Sequence, residues 1–207
     1  MASALQRVKL ARAALHLNAR CGALLPPLVL MTDDVRLPDP LGAARALPRG
    51  SLVIVRAKDR GARTQLATSM MALSRARDLI VLIAADAALA STVDADGLHL
   101  PEAHMRDALH WRALRPRWLV TVAAHSLCGL MRAHAAGADA AILSPVFATA
   151  SHPEASTLGP LRLRALARQS PVPVYALGGV DAMSAPRLAG APVAGLAAVA
   201  GLAPPPR

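Results

Sequence analysis

The sequence predicts an α/β fold, a (β/α)8 TIM barrel with an N-terminal helix, in a single domain covering residues 1–207. Three observations predict it. Eight short apolar runs recur along the chain. One of them, Leu79-Ile-Val-Leu-Ile83, is apolar throughout, as a strand covered on both faces must be. The segments between runs carry helical spacing, and strand–helix alternation implies parallel strands joined by crossovers. The runner-up is a doubly wound open sheet, but no G-x-G-x-x-G follows the first strand.

In chain order, Met1 to Arg20 is basic and amphipathic and lacks the continuous apolar core of a secretory signal. It reads as a helix packed on the domain, with residues 1–24 forming helix and linker. The strand candidates are Leu28-Val-Leu-Met-Thr32, Ser51-Leu-Val-Ile-Val-Arg56, Leu79 to Ile83, Gly97-Leu-His-Leu100, Trp118-Leu-Val-Thr-Val122, Ala140-Ala-Ile-Leu143, Pro173-Val-Tyr-Ala-Leu177 and Val193 to Val199. Between them, Leu66, Met70 and Leu73 share one stripe of a helix over Thr64 to Leu73. Ser126 is a natural N-cap for a helix that stops before Gly137. Leu161, Leu163 and Leu166 mark a helix over Leu161 to Ala167, and Asp181 is placed to cap a short one after it. Residues 203–207, with Pro204-Pro-Pro206, are expected to fray.

Composition narrows the function. Apolar residues make up 54% and charged ones 17%, enough for a packed core. Leu24 to Met31 is far shorter than a membrane span, and Leu188 to Pro206 is too rich in Ala, Gly and Pro, so no membrane partner is expected. The net charge of +10 invites anionic ligands. It does not argue for nucleic acid: Lys9 and Lys58 are the only lysines, Asn occurs once and Ile four times, a bias expected of a GC-rich coding sequence. Trp111, Trp118, Phe147 and Tyr175 are too few for base-stacking platforms. Cys21 and Cys128 have neither metal-ligand nor disulfide spacing and point to a reducing cytoplasm.

In such barrels the reactive groups sit at the C-terminal ends of strands. Strand two ends Arg56-Ala57-Lys58, and alternation sends both cations to one side, which suits a phosphate or pyrophosphate; a solvated basic loop end competes. His125, just past strand five, is placed as a general acid or base, with a capping or core role as the alternative. The long loop Ser144 to Pro153 after strand six carries Thr149, Ser151 and His152 and is expected to line substrate. Gly178-Gly179 after strand seven, and Val199-Ala200-Gly201 after strand eight, stand where barrels of this kind bind phosphate. No metal site stands out among Asp33, Asp34, Asp86, Asp94, Asp96, His99 and His104.

Taken together, Leu28-Val-Leu-Met-Thr-Asp33, Arg56-Ala-Lys58, Asp96-Gly-Leu-His-Leu100, His125-Ser126, Ala136-Gly-Ala-Asp139, Pro145-Val-Phe147 with Thr149, and Ala176-Leu-Gly-Gly179 resemble the thiamine phosphate synthase and thiazole tautomerase (TenI) superfamily over nearly the whole chain. The resemblance implies a synthase that joins a pyrimidine diphosphate to a thiazole phosphate with Mg2+, or a metal-free tautomerase acting on a thiazole carboxylate phosphate. Several of the synthase's positions are changed here. Its glutamine on strand two is Ile54, and its Asn-Asp pair after strand three is Ala84-Ala85, with Asp86 one residue late. The second metal aspartate falls at His104, the pyrophosphate serine at Ala123, and Thr-x-Thr-Lys becomes Thr149-Ala-Ser151-His152.

All these losses lie on the pyrophosphate half. The thiazole-phosphate half keeps Thr149, Ser151, Gly178, Gly179 and the backbone at Val199 and Ala200. The leading expectation is therefore a metal-independent tautomerase or isomerase. In it His125 is catalytic, the glycine loops hold the phosphate, and Arg56, Lys58, Thr149, Ser151 and His152 meet the substrate. The synthase with Mg2+ and a non-catalytic binder of thiamine-type phosphates are the alternatives. The expected partner is a small phosphorylated heterocycle, and apolar helix faces on a small barrel favour a homodimer.

Overall fold

A computed structural model describes residues 2–149, 154 and 156–204. Eight parallel strands, each paired with the next, close when β8 pairs with β1. They are β1 (Leu28–Met31), β2 (Leu52–Val55), β3 (Ile80–Ala84), β4 (Gly97–Leu100), β5 (Leu119–Ala124), β6 (Ala140–Leu143), β7 (Val174–Ala176) and β8 (Gly195–Ala198). All eight sequence-derived strands are present, their ends shifted by a residue or two. Strands β1, β2, β4, β6, β7 and β8 are buried at every position, as side chains facing either the barrel interior or a helical outer layer must be.

The outer layer holds α1 (Ala4–Cys21), α2 (Pro40–Arg45), α3 (Arg60–Arg77), α4 (Ala87–Thr92), α5 (Asp107–Leu114), α6 (Leu127–Ala135) and α7 (Gly159–Gln169). Helix α3 is longer than the spacing of Leu66, Met70 and Leu73 indicates, because Asp59 caps it at the front and Asp78, in the left-handed region, closes it. Ser126 caps α6 as expected, its hydroxyl accepting the Gly129 N–H. The short α2 and α4 carry too little periodic pattern to be read from sequence; each is started by an aspartate, Asp39 and Asp86. Asp181 accepts the N–H groups of Met183 and Ser184, but the segment it introduces is a 3₁₀ turn, Ala185–Leu188, rather than an α-helix.

Among the described residues a 3₁₀ turn, Ala200–Leu202, rather than an α-helix comes after β8, and α1 covers that stretch of wall. A capping box of Ser3 and Gln6 opens α1, and Gly22, at φ 70°, ends it. Its Leu10, Ala14 and Leu17 are buried, and each leucine so removed from water contributes about 2 kcal/mol. Asn18, the one asparagine, donates to the carbonyls of Leu25 (2.9 Å) and Ala194 (2.7 Å), tying the end of α1 to the start of β8. The Ala2 N–H donates to Ala203 O (3.1 Å), so Ala203, expected to fray, is buried and held; residues 205–207 lie outside the described residues.

Candidate active site at the barrel mouth

The C-terminal ends of the strands form one mouth, and neighbouring loops bond to one another around it. Thr32, past β1, donates its hydroxyl to Arg56 O (2.8 Å) and accepts the Arg56 N–H (2.7 Å). Beyond β2, Arg56 and Lys58 are exposed with Ala57 buried between them, the alternation expected from sequence. Asp33 aims the Arg56 guanidinium through a 2.5 Å contact and also accepts from Arg36. The Arg36 side-chain hydrogen bond holds the Asp33 carboxyl far below the usual carboxylate range, against a smaller opposing effect of burial. The backbone N–H of Lys58 donates to Asp34.

The next loops turn on β3 and β4. Ala85 enters the left-handed region (φ 55°) as its N–H donates to His99 O. His99 itself is buried in β4, its Nδ1 2.9 Å from the Thr121 hydroxyl on β5. Desolvation, with the Arg56 charge adding to it, pushes the His99 imidazole down to about 4, so it is neutral at pH 7.

His125 sits past β5 and is half exposed. Its Nδ1 lies 2.7 Å from Ser144 O, an acceptor only, so that nitrogen carries a proton and donates it to the carbonyl. Nε2 is left as the group that gives or takes a proton, and it faces Glu102 Oε2 at 3.8 Å. The other oxygen of Glu102 is held by Arg132 of α6. Gly129 lets this carboxylate approach, since a Cβ there would stand 2.8 Å from Glu102 Oε1.

The glycine pair lies where β7 ends, with Gly178 at φ 100° and Gly179 at φ 62°. Loop six presses against it. Phe147 N–H donates to Gly178 O, and a Cβ on Gly178 would fall 2.8 Å from Pro145 Cα, one on Gly179 2.7 Å from Ala148 O. The Arg187 guanidinium covers the Phe147 ring at 4.8 Å. Gly201 completes the circuit, its missing Cβ making room 2.4 Å from Val180 O. Val199 is buried at the turn after β8, and Ala200 is exposed. Thr149 is half-buried in loop six; Ser151 and His152 lie outside the described residues.

The structure thus brings Arg56, Lys58, His125, Thr149, Gly178, Gly179, Val199 and Ala200 to one end of the barrel. Sequence reasoning missed Glu102 and Arg132 and gave Asp33 no role beside Arg56. The available signal was a carboxylate directly beyond a strand end, at Asp33 after β1 and at Glu102 after β4.

The residues do not fit the Mg2+ that the resemblance implies. Asp86 uses Oδ1 to cap α4 (2.9 Å from Leu89 N) and Oδ2 to meet Arg63 (3.6 Å). His104 is exposed and faces Asp107 at 3.7 Å. Among the described residues no three His, Cys, Asp or Glu side chains gather as a metal site. No helix among them is long and apolar enough to cross a membrane.

A family model described as thiamine monophosphate synthase matches residues 29–202. The chain is 39% identical over 116 residues to a putative thiamine-phosphate synthase 2 of Aquifex aeolicus, a match covering 56% of this chain and 62% of that protein. A thiamine-phosphate synthase of Chloroflexus aurantiacus is 37% identical over 122 residues, 58% of this chain and 55% of that protein. The chain therefore spans less than two thirds of the length of these two relatives. Thiamine-phosphate synthase of Thioalkalivibrio sulfidiphilus is 30% identical over 189 residues, covering 87% of this chain and 89% of that protein. Among solved structures, thiamine phosphate pyrophosphorylase from Pyrococcus furiosus superposes with a TM-score of 0.69 at 23% identity, over 83% of this chain and 84% of that one, a likeness of fold.

Proposed function

The chain belongs to the thiamine monophosphate synthase family, and from that premise we propose that it is a transferase of thiamine biosynthesis. It joins a thiazole phosphate, seated on the loops after β7 and β8, to a pyrimidine diphosphate. The relatives are named as synthases, so this reading takes precedence over the tautomerase that the altered pyrophosphate half of the sequence suggested. The observation that carries it is the juxtaposition of the Gly178-Gly179 turn with Pro145 to Ala148. Only residues without a side chain fit that turn, and it leaves an exposed Gly179 beside the loop after β8.

In this reading a bond forms between the two heterocycles as the C–O bond to the diphosphate breaks, and pyrophosphate leaves with the electron pair. Arg56, aimed by Asp33, and Lys58 meet that growing negative charge. The ring nitrogen that forms the new bond takes up the positive charge, so the displacement needs no proton transfer; His125, its Nδ1–H fixed on Ser144 O, presents Nε2 as a polar contact to the substrate. Thr149 lines the substrate from loop six. No step is routed through a metal ion.

A tautomerase acting on the same thiazole phosphate is the second reading. It is favoured by Ala85 and His104 at the metal positions that the resemblance implies and by His125 held with one nitrogen open. The partner class in both is a small phosphorylated heterocycle, bound in the cytoplasm, with neither nucleic acid nor membrane involved. The exposed Leu5, Val8 and Leu15 of α1 support a homodimer.

Calorimetry with thiazole phosphate and with pyrimidine diphosphate, followed by assay of the mixture for pyrophosphate, tests the proposal. Binding of both and pyrophosphate release that His125→Ala reduces supports the transferase. Binding of the thiazole alone, with no pyrophosphate, moves the assignment to the tautomerase. Binding of neither refutes both.

A further inference from the structure

We infer that this mouth works without a bound divalent ion because arginine side chains have taken the carboxylates such an ion would need. The inference rests on the family reading, which is what raises the question of an ion here. Among the described residues, three mouth carboxylates already have a guanidinium: Asp33 has Arg36 and Arg56, Asp86 has Arg63, and Glu102 has Arg132. Asp34 commits an oxygen to the Lys58 N–H (2.8 Å).

Asp86 decides the matter, because it is the one carboxylate beside the family's metal position on the β3 loop. A hard cation would have to displace Arg63 from Oδ2. Arg63 is only 18% exposed, and its Nε is already buried without a hydrogen-bond partner among the described residues. Stripping its carboxylate would leave a buried, unpaired charge, among the most destabilising changes a fold can suffer. The exchange keeps the electrostatic balance: one guanidinium on one carboxylate has the same net charge as a divalent ion on two.

Ala85 carries the second observation. Its φ of 55° lies in the left-handed region, where asparagine and aspartate are enriched several-fold and alanine is strained. The backbone after β3 has a shape that suits an acidic residue, while Ala85 has no side chain to reach a cation.

The test is equilibrium dialysis of Mn2+ against the full chain, alone and with inorganic pyrophosphate, with bound ion read by electron paramagnetic resonance. Wild type is expected to retain none in either condition. The double variant Ala85→Asp with Arg63→Met returns one carboxylate and releases another. With its fold checked by circular dichroism, it is expected to retain at least about tenfold more Mn2+ than the wild-type background. Stoichiometric Mn2+ on wild type in either condition overturns the inference, as does a folded double variant that gains none. Neither readout uses the thiazole phosphate, so failure of the transferase reading in calorimetry leaves this result standing on its own.

Discussion

Replacing Gly178 by alanine brings together two separable costs. The first is conformational: at φ 100° an L-residue is strained by about 1–2 kcal/mol. The second is steric. The new Cβ would lie 2.8 Å from Pro145 Cα and 3.0 Å from Val146 N, backbone atoms held by the Val146 N–H to Leu177 O bond, so the loop cannot yield by a rotamer change. Overpacking of that kind costs about 1–3 kcal/mol, for a total near 3 kcal/mol. With a urea slope of about 2 kcal/mol per molar, the unfolding midpoint should fall by about 1.5 M. Gly22→Ala is the control, since Gly22 has φ 70° with nothing within 4 Å of the built Cβ, and it should show the conformational cost alone. Equal losses in the two variants would refute the idea that loop six is what the glycine turn accommodates.

Other perturbations test the remaining structure. His99 is depressed to about 4 against an ordinary 6.5, so the unfolded chain binds the extra proton. Stability is full above pH 6.5 and is lost as pH falls through that window, by up to about 3 kcal/mol; urea midpoints from pH 7 to pH 4 should slope less in His99→Gln. An unchanged slope would remove His99 from that role. Asn18→Ala deletes both bonds to Leu25 and Ala194 and should lower stability by about 2 kcal/mol in the same assay, whereas a surface polar residue would cost almost nothing. Sedimentation of Leu15→Lys should shift toward monomer if the exposed α1 face joins two copies; an unaltered profile would place any dimer elsewhere.

Strand positions were legible in the sequence because a parallel barrel buries both faces of each strand, and runs such as Leu79 to Ile83 record that burial residue by residue. Long helices were legible through their stripes and caps, as at Ser126. Helices α2, α4 and α5 were not, since six to eight residues hold little more than two turns of pattern at most. At the mouth, position along the chain revealed Arg56, Lys58, His125 and the glycine pair. Pairing between different loops did not show: Glu102 meets Arg132 thirty positions away, and nothing local marks either as the other's partner. The second duty of Gly178 and Gly179, admitting loop six, is likewise visible only once loop and turn are placed together.

The helix that covers β8 is synthesised before any strand of the barrel. Asn18 must wait for Ala194, 176 positions later, before its amide finds a carbonyl there, and β1 cannot complete its pairing until β8 arrives. During synthesis the basic α1, with Leu10 and Leu17 uncovered, is therefore an unprotected amphipathic segment while the eight strands are made. Contacts of such long range also slow the final closure. The step of barrel closure most exposed to misassembly is thus the docking of α1 on β8.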